Sequence, residues 1–380
     1  MSDVESHRVP GAASAEPAGQ ADRLQLEEPI VIDLFSDTLT KPTPEMRRFM
    51  CEAEVGDEQK GEDPTVTRLQ EMVAELLGKE AAVYLPSGTM CNEIAIHVHC
   101  RPGEEVICDE TAHIVIAEAG GPAALSGVMV NPIRGRRGIY TGEQLRAAVR
   151  AESRYAPRSR LVEVEQTSNL GGGSVWPLAT IQEVAKTARS LGLKLHMDGA
   201  RLFNAVVASG VPASAYAEPF DTVWVDFTKG LGAPVGAALA GSRDFIREAW
   251  RFKQQWGGAM RQAGIIAAAG IYALEHHVDR LRIDHENAQR LAQGLAGLRG
   301  IDIDPKGVET NLVFFQVTPE SGWTAPDLAR ELREQGIEVG AFGPTLIRAV
   351  THLDVSRDDI ERALTVFERV LSSARRSAAQ

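Results

Sequence analysis

Cysteine is scarce: the 380 residues hold four, Cys51, Cys91, Cys100 and Cys108, and no two stand in a CxxC pair. A disulfide framework and a paired-cysteine structural zinc site are therefore excluded, and a reducing cytoplasm fits best. His97, His99 and Cys100 end a helical pattern with no second cluster of ligand residues, so no metal site is read there. Positive charge is in deficit, 40 Lys and Arg against 52 Asp and Glu for a net charge of -12. That balance argues against a nucleic-acid or anionic-membrane surface, and the local basic turn of Arg134, Arg136 and Arg137 reads as solvated loop. Residues 1–29 lack apolar periodicity and an apolar h-region. They are rich in Ala, Gly, Pro, Glu and Ser, so they are expected to be a disordered tail and not a signal peptide. No internal repeat is visible.

What is present is a 44% hydrophobic chain long enough for a large core. Pro64, after Asp63, opens a predicted helix with Val66, Leu69, Met72, Val73, Leu76 and Leu77 on one face, and Gly78 closes it. Short buried strands at 81–85, 104–108, 160–165, 193–198, 223–227 and 236–241 are separated by helical patterns. Such alternation predicts a largely parallel sheet with helices on both faces, an α/β fold. From about residue 280 the pattern changes to strand 312–317, helix 326–335, strand 346–350 and a last helix capped by Ser356 with Asp359. The expected division is therefore a large domain over 30–279 and a smaller C-terminal α+β domain over 280–380.

The chemistry concentrates in one stretch. Val223, Trp224, Val225 and Phe227 form a buried strand that runs into the glycine-rich turn Thr228-Lys-Gly-Leu-Gly232. A lysine delivered there is partly desolvated, the condition under which an amine becomes a nucleophile for a carbonyl. Asp198 ends the preceding strand, Leu193-Lys-Leu-His-Met-Asp198, and ligands of open α/β sheets bind at that edge. A covalent lysine and an acid facing a pyridinium nitrogen are the two anchors that pyridoxal phosphate (PLP) requires. Pro86-Ser-Gly-Thr89 turns from a strand into a helix, and N–H groups at a helix start, with two hydroxyls and a glycine, form a phosphate site. Gly230 and Gly232 do not make a dinucleotide turn, because the third glycine falls at Gly236 and Pro234 is wrong for a helix start.

Several motifs together resemble the L-threonine aldolases, also labelled β-eliminating lyases, of the fold-type I PLP enzymes. They are Ser36-Asp-Thr, Gly56-Asp-Glu-Gln-Lys-Gly-Glu-Asp-Pro-Thr65, Leu85-Pro-Ser-Gly-Thr89, Ala112-His113, Glu118-Ala-Gly-Gly121, Asp198-Gly-Ala-Arg201, Thr228-Lys-Gly-Leu-Gly232, Gly258-Ala-Met-Arg-Gln262 and Arg348-Ala-Val-Thr-His-Leu-Asp354. The resemblance spans roughly residues 31–370. It implies that Lys229 carries the cofactor, Asp198 faces its ring nitrogen, His113 stacks on the ring, and Gly88 and Thr89 hold its phosphate. Arg201 would lie beside the cofactor, Arg261 would reach a phosphate in a neighbouring subunit, and Arg348 with Ser36 would clamp the substrate carboxylate. The family commonly forms homotetramers with shared active sites. Two departures stand out: Ser168 replaces the usual histidine of Thr-His-Asn, and Lys60 replaces the usual tyrosine, both on the expected substrate side. The implied activity is retro-aldol cleavage of a β-hydroxy-α-amino acid to glycine and an aldehyde. Another PLP reaction, β-elimination or racemisation, is the alternative, and a non-catalytic relative of the fold is a further one.

Overall fold

The computed structural model describes residues 32–377; the tail expected over 1–29 lies outside them. Local rules set the elements. After β1 (Ile32–Asp33) and α1 (Pro44–Cys51), α2 (Pro64–Leu77) illustrates how ends are fixed. The Asp63 carboxylate accepts the N–H groups of Thr65 and Val66 at 3.1 and 3.0 Å, Pro64 takes the first helical position, and Gly78 ends the helix at φ +62°. Val66, Leu69, Val73 and Leu77 are buried, and each such side chain contributes roughly 1.5–3 kcal/mol. Leu76, expected on the same face, is 41% exposed, because one residue along a helix is a turn of about 100° away from the stripe.

Strands β2 (Ala81–Leu85), β3 (Glu105–Asp109), β4 (Met129–Ile133), β5 (Ser159–Glu165), β6 (Lys194–Gly199), β7 (Thr222–Asp226) and β8 (Ala237–Gly241) form a seven-stranded sheet in the order β2-β8-β7-β6-β5-β3-β4. Only β8 runs against its neighbours, so the carboxyl ends of β2, β3, β5, β6 and β7 open on one edge. Strand alternation sorts the side chains. Val223 and Val225 join Leu195, Met197, Val162 and Val164 on one face, while Trp224 joins Val83, Leu85 and Leu239 on the other. Glu165, Asp198 and Trp224 stand in register across β5, β6 and β7, so their polar groups share the face covered by α3 (Gly88–His99).

A second cluster gathers Leu291 and Leu295 of the helix Leu281–Ala296, Phe315, Leu328, Ile347 and Phe367 around a four-stranded antiparallel sheet. Ile32 and Leu34, which the sequence assigns to the larger unit, pack here, because β1 pairs in parallel with Ile337–Glu338. The chain then crosses to the main sheet, where the Thr40 hydroxyl donates to the Lys229 carbonyl at 2.8 Å. This crossing carries Ser36 and Asp37 to the carboxyl edge. Among the described residues, no helix is long and apolar enough to cross a membrane.

Candidate active site

A cavity of about 310 Å³ opens at that edge, and Lys229, Asp198, His113, Gly88, Thr89, Arg201, Ser36 and Arg348 all contribute to its wall. Lys229 follows the end of β7 and pairs with Asp226, the last residue of that strand. The other Asp226 oxygen accepts the N–H and hydroxyl of Thr228 at 2.9 and 2.7 Å, so the carboxylate is locked and the amine is held at its side. Asp226 was not singled out from sequence, although its place three residues before the lysine is the signal that could have found it.

Asp198 is 1% exposed at the end of β6. Its oxygens accept the Ala200 N–H at 2.9 Å and the Asn92 amide at 2.9 Å, both neutral donors. Burial pushes this carboxyl above the usual range, against the pull of His113, Asn92 and Lys229. The orientation of Asn92 follows from a group that can only donate: Trp224 Nε1–H points at Asn92 Oδ1 at 2.6 Å. The Asn92 Nδ2 therefore faces the acids, giving one proton to Asp198 and one to Glu118 Oε1 at 2.8 Å. Because that Glu118 oxygen accepts, His113 Nδ1 at 2.7 Å carries the proton, which leaves His113 Nε2 toward the cavity. Burial works to lower the His113 imidazole, but the Glu118 hydrogen bond and the charges of Asp198, Glu118 and Glu165 outweigh it and hold it above the usual value. Deeper in, His196 Nε2–H donates to Asn92 Oδ1 at 3.0 Å, and burial holds His196 down to about 3, so it stays neutral. Asn92 is thus the hub of the site floor. Nothing in its sequence neighbourhood marks it, because its partners come from three separate segments: β6, β7 and the stretch around Glu118.

The two buried arginines differ in what they already hold. Arg201 grips Asp37 with two bonds, Nε to Oδ2 at 2.8 Å and Nη2 to Oδ1 at 2.6 Å. Burial alone would raise the Asp37 carboxyl, but the Arg201 guanidinium outweighs it and keeps Asp37 well below the carboxylate range. Among the described residues, Arg348, on the strand Leu346–Val350, donates only to neutral oxygens, Asn169 Oδ1 and the Phe35 carbonyl, each at 3.1 Å, and its Nε has no partner. Burial, with the nearby Arg201, lowers it to about 10. A buried guanidinium without a carboxylate is the group that gains most from an acidic ligand.

These features fit PLP. Asp198 is a buried acid whose hydrogen bonds come from neutral groups, as a pyridinium partner requires. Ser87 caps α3, accepting the Met90 N–H at 3.2 Å, and the Gly88–Thr89 turn sits against the Trp224 ring. A Cβ on Gly88 would lie 2.2 Å from Trp224 Cη2, and the Asn92 hydrogen bond keeps that ring from yielding. Gly88→Ala is accordingly expected to cost about 1–3 kcal/mol of stability, the usual cost of overpacking, and to weaken PLP binding. Urea unfolding and a PLP titration check this; unchanged midpoints in both would show that the turn has slack.

Three expected site residues lie off this cavity. Ser168 is buried, but its Oγ accepts the Gly171 N–H at 3.2 Å and fills the space beside Gly138, where a Cβ would meet it at 2.0 Å. Its neighbour Asn169 reaches the cavity instead. Lys60 ends the short turn Glu58–Lys60 and is exposed. Arg261, 61% exposed, pairs with Asp57 at 2.9 Å.

The sequence model of the β-eliminating lyases matches residues 33–318. A low-specificity L-threonine aldolase of Arabidopsis thaliana is 40% identical, with 90% of this chain and 96% of the relative covered. The Escherichia coli K12 low-specificity L-threonine aldolase is also 40% identical, over 87% of this chain and 96% of its own. Among solved structures, a Leishmania major threonine aldolase superposes with a TM-score of 0.77 at 20% identity, covering 90% of this chain and 99% of its own. Sphingomonas wittichii serine palmitoyltransferase gives 0.71 at 19%, over 90% and 88%. These structural likenesses carry the fold, which is that of the fold-type I PLP enzymes. The matched model and the sequence relatives carry more: the chain belongs to the β-eliminating lyase family.

Proposed function

We propose that the chain is a PLP-dependent carbon–carbon lyase that cleaves a threonine-like β-hydroxy-α-amino acid to glycine and an aldehyde. The observation that carries this reading is one cavity walled by Lys229, Asp198, His113 and an Arg348 that holds no carboxylate among the described residues. Bound PLP supplies the electron sink for the bond broken at the substrate Cα. Lys229 would hold the cofactor through its amine, Asp198 would keep the ring nitrogen protonated, and the Gly88–Thr89 turn would take the phosphate on its N–H groups. Arg348 clamps the substrate carboxylate with help from Ser36, which fixes which substituent stands across the plane of the reacting bond. His113 would turn Nε2 to the β-hydroxyl and accept its proton. The protein acts as a homotetramer with shared active sites, in keeping with Arg261 lying exposed and off its own cavity. Four unpaired cysteines support a cytoplasmic setting.

Incubation with threonine, phenylserine or 3-hydroxyaspartate and assay of products tests the reaction. Equal glycine and aldehyde are expected; an oxo acid with ammonia, or racemised substrate without glycine, would overturn the assignment in favour of another PLP reaction. Arg348→Lys is expected to lower kcat/KM about 10- to 100-fold, since a point charge replaces a planar two-bond clamp and a charged hydrogen bond contributes about 1.5–3 kcal/mol. An unchanged kcat/KM would remove Arg348 from the substrate site.

A further inference from the structure

Beneath His113 lies a carboxyl pair that the reaction as described does not use. Glu93, on α3, is 2% exposed, and neither of its oxygens finds an N–H or O–H donor among the described residues. Glu118 Oε1 is committed to Asn92 and His113, while its Oε2 is equally buried and equally without a donor. The two carboxyls lie within hydrogen-bonding reach of each other. Gly121 makes the room: a Cβ there would come within 1.9 Å of Glu93 Oε1. Two carboxylates in contact and out of water repel strongly, but one proton between them turns the repulsion into a charge-assisted bond and satisfies both orphaned sides.

We infer that Glu93 is a positioning residue for His113: it holds a proton, donates it to Glu118 Oε2, and so leaves Glu118 with one fixed charge that keeps His113 Nδ1–H turned inward and Nε2 turned to the cavity. The role of His113 in this statement rests on the proposed function; the proton-sharing pair does not. Burial, then the charge and hydrogen bond of Glu118, push the Glu93 carboxyl up to about 8. The groups facing the pair are few. On α3 itself the next turn brings His97, which bonds to Ser126 at 3.0 Å; from the 113–118 segment come His113 and Glu118; and from the strands behind come Asp198 and Glu163. The Glu163 carboxyl is itself pushed well up by burial and then by Asp198 and Glu165.

The pH sign follows. Above about 8, Glu93 ionises, so Glu118 Oε2 loses its donor and meets a second negative charge, and the bond that holds His113 Nδ1–H inward is disturbed. Activity then falls on the alkaline side. Stability moves the same way: a carboxyl raised on folding contributes fully below its unfolded value and loses that contribution as pH climbs through about 8.

Glu93→Gln keeps a donor for Glu118 but cannot titrate, and it tests the pair directly. The infrared difference between the parent protein and E93Q, without cofactor or substrate, is expected to show a protonated-carboxyl C=O band at neutral pH that disappears as pH passes about 8. E93Q is also expected to gain thermal stability relative to the parent between about pH 6 and about pH 9. A missing band at neutral pH would overturn the pair, whatever the enzyme's reaction. The His113 ring resonances followed by NMR, again without turnover, are expected to shift as pH passes about 8 in the parent, where Glu93 ionises, and not in E93Q; no difference between the two would overturn the link to His113. In the working enzyme, E93Q should keep kcat/KM for glycine release near the parent value at neutral pH and lose the alkaline fall. Glu93→Leu, which leaves Glu118 Oε2 without a donor, should lower it about tenfold, the size of one buried hydrogen bond lost. An E93Q profile that retains the parent's alkaline fall would overturn the positioning role.

Discussion

Lys229→Ala is expected to abolish covalent attachment of PLP and to lower glycine release by about 10⁴-fold, the upper end of what a positioned proton-transfer group contributes even before the lost covalent bond is counted. The expectation rests on place. Lys229 is a lysine of the cavity wall, and Asp226 holds its amine beside the edge where Asp198 stands. Removing the side chain leaves Asp226 with the N–H and hydroxyl of Thr228 as partners, so the turn keeps its anchors and the fold should survive. PLP should still enter, held by the phosphate turn and Asp198, which separates attachment from binding. Borohydride reduction followed by intact-mass measurement reads the result: the parent gains a cofactor mass and the variant does not. A reducible adduct that persists in Lys229→Ala would place the covalent bond on another lysine and undo the site.

Why Lys229, Asp198 and Gly88 stand out in sequence, while their supports do not, has a physical reason. A lysine after a buried strand, an acid at the end of its neighbour and a Ser-Gly-Thr turn at a helix start are local arrangements, each recognisable from a few consecutive residues. The parallel sheet is legible for the same reason, since the alternation of strand and helix forces those ends onto one edge. Asn92 acts only through partners on β6, β7 and the Glu118 segment, and no local pattern announces that a helix-interior asparagine will find them. Asp37 sits inside the Ser36-Asp-Thr motif, yet its pairing with Arg201 spans the chain and needs the β1 crossing to form. Ser168 was expected at the substrate because a residue type differed there. The backbone instead turns its hydroxyl toward Gly138 and Gly171 and brings Asn169 to Arg348. Position in a motif assigns a neighbourhood, and the direction of a side chain within it depends on contacts that sequence spacing does not contain.

Asp198→Asn is expected to lower kcat by about 10²- to 10³-fold, and the structure gives two reasons that act together. The first is charge. A pyridinium in this cavity would have Asp198 as its counter-ion, and breaking a buried ion pair on one side costs about 3–5 kcal/mol. The second is hydrogen-bond parity. Both Asp198 oxygens now accept, one from the Ala200 N–H and one from Asn92 Nδ2. An asparagine offers one acceptor and one donor, so either way round it sets an N–H against an N–H. Asn92 cannot flip to relieve this, because its Oδ1 is held by the donors Trp224 Nε1 and His196 Nε2. The conflict reaches His113 through Glu118, which shares the Asn92 amide. Cofactor binding should weaken less than kcat falls, since Lys229 and the phosphate turn are untouched. Turnover of Asp198→Asn within about twofold of the parent, with hydrogen-bond loss of about 1 kcal/mol as the scale, would show that Asp198 serves only to cap the Ala200 turn.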